Sequence, residues 1–233
     1  MRSLWIFLAF LLFAPAKASA DTVAVLYFEN QGNPELEPLK VGLAQMLITD
    51  MQGAENVTVV ERAQLQAILD ELELGHSGKV DPETAARVGK LLGAEWMVMG
   101  SYFEMMGTLR IDARLVRVET GEIVHAAGRD GAAAGFMGME KELAGEFKAE
   151  LAKAARTTRD EGSGSEVPLE VRTTEVVLAE PDPDALDAAL AFSEGLIFLD
   201  GKDTPRAREA FEKAVAADPN LQPAKDALAA LDI

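Results

Sequence analysis

The chain contains no cysteine. Without disulfides, an exported protein depends on its apolar core for stability. A bacterial lipoprotein carries its acyl chains on a cysteine directly after the leader, and this chain has no residue for that attachment. We therefore expect a protein that folds around a sizeable core and is not a lipoprotein.

Basic side chains are scarce, since 22 lysines and arginines stand against 39 aspartates and glutamates and give a net charge of −17 at pH 7. A surface this acidic is repelled by nucleic-acid phosphates and by anionic lipid headgroups. The composition therefore predicts no nucleic-acid partner, and it indicates that the charge serves solubility.

Residues that commonly carry catalysis are few and scattered. The two histidines, His76 and His125, lie far apart, and neither stands in a metal-ligand spacing. Ser77 and Ser101 lack the Gly-x-Ser-x-Gly context of a hydrolase nucleophile, and no glycine-rich phosphate loop is present. The sequence therefore predicts no catalytic residue, no cofactor and no metal ion, and a protein that is not an enzyme.

Long apolar runs are confined to the first twenty residues. Arg2 precedes an unbroken apolar stretch at 4–14, which is shorter than the about 20 residues that a membrane-spanning helix needs. The sequence Ala-Ser-Ala at 18–20 is typical of a signal-peptidase cleavage site. We expect a signal peptide over residues 1–20, cleaved after Ala20, and a periplasmic mature protein, with an uncleaved anchor as the alternative.

Between residues 21 and 157, apolar residues alternate between the spacing of strands and that of helices. Two nearly continuous apolar runs on either side of a helical segment predict a parallel strand pair, and three later strands joined by short turns predict antiparallel neighbours. The fold class is therefore α/β: a three-layer domain with a mixed parallel and antiparallel sheet flanked by helices. The predicted strands cover 22–29, 57–60, 96–104, 108–118 and 122–129, and the predicted helices begin at 39, 61, 82 and 136.

A strand enters a helix without any turn residue at Val60, Glu61 and Arg62. Glu61 stands at the start of the helix, where the helix dipole favours a carboxylate. As an acid and an electrophile, Glu61 and Arg62 would need a second carboxylate, a nucleophile or a metal ligand beside them. We interpret the pair as part of the architecture.

The nine methionines are interpreted by default as core-filling residues, and this includes Met97, Met105 and Met106. Met137 and Met139 stand beside glycines. These two are the candidates for an exposed partner surface.

After residue 157 the composition changes twice. Serine, glycine, acids and prolines dominate residues 158–183, which we interpret as a flexible linker. Residues 184–233 are predicted to form a small α-helical hairpin of the tetratricopeptide type, although Glu194 stands where that repeat has leucine. Small and aromatic residues follow the repeat at Gly195, Phe198, Ala207, Phe211, Ala214 and Pro219.

Only one such repeat is visible, whereas about three copies are needed to bury the faces of these helices. The hairpin must therefore dock on the main domain, pair with another chain or bind a peptide. Phe198, Arg206 and Arg208 are the candidate partner-binding residues, and the two arginines are expected to pair with an acidic partner or a C-terminal carboxylate.

The first half of the chain resembles the curli production assembly/transport (CsgG-type) family. The matching stretches are VAVLYFEN, GLAQMLITDM, VTVVERAQLQAILDELELGHSG, DPETAARVGKLLGAEWMVMGSY and RLVRVETGEIV. The resemblance implies a three-layer α/β domain with a non-enzymatic role in envelope assembly or secretion. The curli channel itself is a lipoprotein with inserted membrane strands, and this chain has neither the cysteine nor the insertions, so we expect the soluble domain without the pore.

The expected function is that of a periplasmic scaffold or adaptor, with protein partners of the cell envelope. An envelope hydrolase without a recognisable motif and a secretion-pore subunit are the alternatives. We expect no transmembrane span in the mature chain. Outer-membrane association through a partner and assembly into a homo-oligomer both stay open.

Overall fold

The computed structural model describes residues 20–76, 81–157, 172–173 and 184–232. In these ranges the chain forms one sheet and seven α-helices. The strands are β1 (Asp21–Val25), β2 (Glu29–Asn30), β3 (Val57–Val59), β4 (Trp96–Met105), β5 (Thr108–Arg117), β6 (Ile123–Ala132) and β7 (Arg172–Thr173). The helices are α1 (Leu39–Met51), α2 (Arg62–Glu71), α3 (Pro82–Leu91), α4 (Phe136–Thr157), α5 (Ala185–Asp200), α6 (Thr204–Ala217) and α7 (Gln222–Leu231).

The sheet is mixed, as the sequence predicts. Its strand order is β3-β1-β4-β5-β6-β7, with β2 also paired to β4. β1 runs parallel to both β3 and β4, whereas β4, β5 and β6 form an antiparallel meander. β7 pairs in parallel with β6 through two residues of the predicted linker. The isolated strand that the sequence suggests near residues 176–178 lies outside the described residues.

The predicted first strand, 22–29, is interrupted. β1 ends at Val25, and the ladder resumes only at Glu29 in β2. Between them the ring of Phe28 lies over Gly100, where a Cβ atom would stand 2.6 Å from the ring carbon Cε1. The chain therefore leaves the sheet at the place where a buried ring has to be accommodated.

Helices cover both faces of the sheet. Along β5, Leu109, Ile111, Ala113 and Leu115 are buried on the face that packs against α4, as their alternation predicts. α3 lies on the opposite face, where Gly89 approaches Met97 and Val118. β1 lies between β3 and β4, so the crossover from β1 to β3 and the crossover from β3 to β4 run in opposite directions along the sheet. Because both crossovers are right-handed, their helices lie on opposite faces. The three-layer α/β class is confirmed.

The central helix, α1, is buried on nearly all its faces. Its apolar side chains are spread around the helix axis, and a helix of this kind needs apolar neighbours on more than one side. β1 and α4 cover part of α1, and α5 covers another part. The buried residues of α1 are Leu39, Val41, Gly42, Leu43, Ala44, Met46, Leu47, Ile48 and Met51.

The C-terminal hairpin docks on the main domain through α5, which is one of the three alternatives left open by the sequence. Gly42 of α1 lies so close to α5 that a Cβ atom there would collide with Oγ of Ser193. Within the hairpin, a Cβ atom on Gly195 would collide with the ring of Phe211. The small residues of α1 and α5 therefore set how closely three helices approach one another.

A buried ion pair joins the same two parts of the chain. Arg62, at the start of α2, donates from Nη1 and Nη2 to the two carboxylate oxygens of Asp200 at 2.6 and 2.9 Å. The side chains are only 7% and 13% exposed. Nη1 of Arg62 also lies 3.3 Å from the Tyr27 hydroxyl, which donates to Gln66, and Nε2 of His76 lies 2.9 Å from Asp200. Arg62 thus ties the start of α2 to the end of α5.

We expect the substitution Gly42→Ala to lower the free energy of unfolding by about 1–3 kcal/mol, because the added methyl group collides with Ser193 and forces α5 away from α1. Gly145→Ala is the control, since a Cβ atom there meets nothing within 4 Å and should stabilise α4 slightly. Urea unfolding measures both. Recovery of stability in the double variant G42A/S193G would identify the contact directly, and an unchanged stability of G42A alone would contradict the docking.

Asp200→Asn should lower the free energy of unfolding at pH 7 by about 3–5 kcal/mol, because it leaves the charge of Arg62 buried without a counter-ion. Burial raises the pKa of Asp200, but the hydrogen bonds and charges of His76 and Arg62 outweigh it and hold the pKa below its usual value of 3.8. The stabilisation is therefore complete above that value and is lost as the pH falls through the lowered pKa.

The difference in the free energy of unfolding between the wild type and D200N should accordingly become smaller below about pH 4. Asp226→Asn is the matched control, because this aspartate is exposed on α7 and, within the described part of the chain, accepts from Gln222 alone. Equal stability of D200N and the wild type at pH 7 would show that the pair does not hold the hairpin in place.

Candidate protein-interaction surfaces

Two of the three predicted partner-binding residues lie together. Phe198 of α5 and Arg206 of α6 stack, with the guanidinium carbon 4.5 Å from the ring centroid. Asp203 caps the start of α6 by accepting from the backbone N–H of Arg206, and it also accepts from Nε of the same residue. The Arg206 side chain is 63% exposed, so the pair presents an apolar and cationic surface, here called the Phe198 patch.

Arg208 forms its hydrogen bonds at the C-terminal end of α7. Its Nη2 donates to the carbonyl oxygen of Leu231 at 3.2 Å and to Oδ1 of Asp232 at 2.7 Å. Residues two positions apart on a helix do not face the same side, so Arg206 and Arg208 point in different directions. Arg208 ties α6 to the C-terminal end of α7, and the structure does not bring it to the Phe198 patch.

The tip of the β4–β5 hairpin exposes methionine. Met105 and Met106 are 64% and 96% exposed, although core filling was the default interpretation for both. That interpretation is wrong for these two residues and right for Met97, which is buried. Met106 and Gly107 both have positive φ angles, 56° and 80°, which is the conformation of a tight two-residue hairpin turn. The turn directs the methionines outward, and a periodicity argument does not detect this.

The interpretation of Met137 and Met139 as a partner surface is also wrong. Met139 is fully buried, and Met137 is half-buried and packs against the core. Both lie at the start of α4, where that helix packs against the sheet and α1. Flanking glycines are therefore no sign of an exposed surface here.

A second buried ionic cluster joins β6 to α4. Arg129 is buried and donates to Glu142 at 3.1 Å and to Glu146 at 2.5 Å, while Nε2 of His125 lies 2.8 Å from Glu146. Burial raises the pKa of Glu146, but the hydrogen bonds from Arg129 and His125 lower this pKa by a larger amount. The pKa of Glu146 is therefore below its usual value. His125 is thus paired inside the fold and does not stand free in a cleft.

Among the described residues, the carboxyl group of Glu140 is buried without a hydrogen-bond partner. Glu140 on α4 is buried, and burial followed by the nearby Asp50 raises its pKa well above 4.5. A carboxyl in this setting is held in its neutral form near neutral pH.

Among the described residues, no group of three or more histidines and carboxylates is arranged to hold a metal ion. In the same ranges, no helix combines the length and apolar character required to cross a bilayer.

Asp200 is the structural partner that sequence reasoning missed. It stands 138 positions from Arg62, and no local pattern links the two. An indirect signal was present, because the helix at 39–51 is apolar on nearly every face and therefore needs a second covering element.

Comparison with known proteins gives one family match. Residues 11–105, which include β1 to β4, match the family model described as "Curli production assembly/transport component CsgG". No curated protein matches the chain.

Several solved structures are similar at low identity. The LpoB C-terminal domain from Escherichia coli is 19% identical with a TM-score of 0.41, and the match covers 52% of this chain and 89% of that one. Lipoprotein GNA1162 from Neisseria meningitidis is 15% identical with a TM-score of 0.41, covering 48% and 79%. The PelC dodecamer from Paraburkholderia phytofirmans is 16% identical with a TM-score of 0.30, covering 60% and 87%.

The family match spans strands β1 to β4 and helices α1 to α3. Over residues 11–105, the α/β domain of this chain is therefore related to the CsgG family, as its sequence predicts.

Proposed function

We propose that this protein is a non-enzymatic scaffold or adaptor in the assembly of the bacterial cell envelope or in secretion, and that it binds protein partners. The observation that carries the proposal is the match of residues 11–105 to a curli production assembly/transport component. The protein is exported to the periplasm by a leader cleaved after Ala20 and carries no lipid anchor.

The arrangement of charges supports a role without catalysis. The buried ionisable groups Arg62 and Asp200 pair with each other across two parts of the chain, and Arg129 pairs with Glu146 between β6 and α4. Each pair joins two secondary-structure elements. These side chains therefore have structural roles as ion-pair partners.

The docked hairpin supports the adaptor role. α5 packs on α1, while α6 and α7 lie further from the sheet and the Phe198 patch stays accessible. A half-buried phenylalanine with an exposed arginine stacked on it combines two residue types that are prominent at protein interfaces. The Phe198 patch is the surface through which the hairpin binds its partner, and a partner with acidic groups suits it best.

Photo-crosslinking in the native envelope tests this proposal. A photoreactive amino acid replacing Arg206 should give a covalent adduct with one defined envelope protein, whereas the same probe at the exposed position of Asp226 on α7 should not. Phe198→Ala, introduced together with the probe, should reduce the adduct by about tenfold, since loss of an aromatic anchor costs more than 1 kcal/mol. Equal adducts at both positions, or none at position 206, would contradict the adaptor role of the hairpin.

The proposed export has its own test. The N-terminal sequence of the protein recovered from the periplasmic fraction should begin at Asp21, because the Ala-Ser-Ala sequence directs cleavage after Ala20. An N-terminus at Met1 in the membrane fraction would contradict cleavage and would favour the uncleaved anchor. Recovery from the cytoplasm would contradict export altogether.

A further inference from the structure

A small apolar groove opens between α3 and the face of the sheet that lies away from α1 and α4. Its volume is about 100 Å³. Its walls are formed by Ala85 and Ala86 of α3, by Met97 and Met99 of β4, and by Val116 of β5. An apolar cavity of about 150 Å³ accepts a molecule the size of benzene. This groove therefore has room for one branched aliphatic side chain.

Two arginines border the same groove, in a protein whose net charge is −17. Arg114 is exposed and forms no ion pair with any of the described residues. Its neighbour along β5, Arg110, is bound by Asp112 at 2.7 Å. Arg117 lies over the ring of Trp96, 4.5 Å from its centroid. The groove thus combines apolar walls with a cation that has no counter-ion among the described residues.

A second, larger groove of about 370 Å³ continues from the first, because Arg117 and Val118 line both. It adds another cation, Lys90. Three carboxylates also line it: Asp21, which accepts from the Trp96 indole, Glu95, which accepts from a backbone N–H, and Glu119. The second groove thus offers an extended ligand more room but, with three carboxylates beside Lys90 and Arg117, no excess of positive charge.

We propose that the small groove at α3 is a docking site for an acidic, aliphatic peptide segment of a partner protein. One aliphatic side chain enters the small groove, and a neighbouring carboxylate pairs with Arg114. Burial of the aliphatic group supplies most of the affinity, and the charge selects the segment. The proposal rests on the proposed protein-binding function, but it places a second binding surface on the α/β domain, separate from the Phe198 patch.

Fluorescence anisotropy with two labelled peptides tests this site. One peptide alternates leucine with glutamate over seven residues, and the other alternates leucine with lysine. The full chain should bind the first and not the second. Arg114→Glu should weaken binding by about tenfold or more, because it replaces the attraction at the groove by repulsion. Ala86→Phe should abolish binding by filling the groove.

The matched control is Arg87→Glu, which changes the charge by the same amount at an exposed position of α3 that lines neither groove. This variant should bind the acidic peptide within about twofold of the wild type, since a screened charge outside the contact contributes little. Equal weakening by R87E and R114E would show that only overall charge matters and would overturn the site. Absence of binding to the wild type would overturn it as well.

Two further measurements keep the interpretation unambiguous. The urea midpoints of R114E and A86F should match that of the wild type, and if A86F is unstable, the comparison of R114E with R87E decides alone. Phe198→Ala should leave peptide binding unchanged, and a loss in this variant would move the site to the hairpin and overturn the proposal. Failure of the peptide experiment leaves the crosslinks at position 206 intact, so the two proposals fail separately.

Discussion

Burial of α1 between the sheet and α5 is the contact on which the rest of the structure depends. A helix with apolar side chains on nearly every face cannot stand at the surface of a domain in water. The sheet covers one side of it, and α5, more than 130 residues further along the chain, covers another. The C-terminal hairpin therefore completes the core of the α/β domain.

The ionic contacts reinforce this arrangement. A buried arginine is costly unless it is paired and hydrogen-bonded, and Arg62 meets both conditions through Asp200 and Tyr27. The pair can form only when α5 lies on α1, so it selects one docked position of the hairpin. Burial raises the pKa of Tyr27 to about 12 despite the nearby arginine, which keeps its hydroxyl protonated as a donor to Gln66.

Local features could be predicted well from the sequence. The helix at 39–51 has the predicted bounds, and Asp81 caps α3 by accepting from the N–H groups of Glu83 and Thr84, as an Asp-Pro start indicates. These features depend on neighbours a few residues apart. The interruption after Val25 depends on Gly100, and the role of Arg62 depends on Asp200, so both are set by contacts between distant parts of the chain that periodicity does not encode.

The candidate interaction surfaces also divide into features set by residues close in the sequence and features set by contacts between distant parts of the chain. The stacking of Phe198 and Arg206 arises within one hairpin and was within reach of the sequence, whereas the diversion of Arg208 to Asp232 required the packing of α7. The exposed methionines at the β4–β5 tip depend on the positive φ angles of a two-residue turn. The groove at α3 combines residues from one helix and three strands, which only the folded sheet brings together.

Native-state hydrogen exchange tests most directly whether the hairpin is part of the core. If α5 completes the burial of α1, the slowest amides of both helices should open together in one cooperative event, with free energies that agree within about 1 kcal/mol. Opening of α5 at a much lower free energy, with α1 still protected, would show that the hairpin is an independent appendage and would contradict this account.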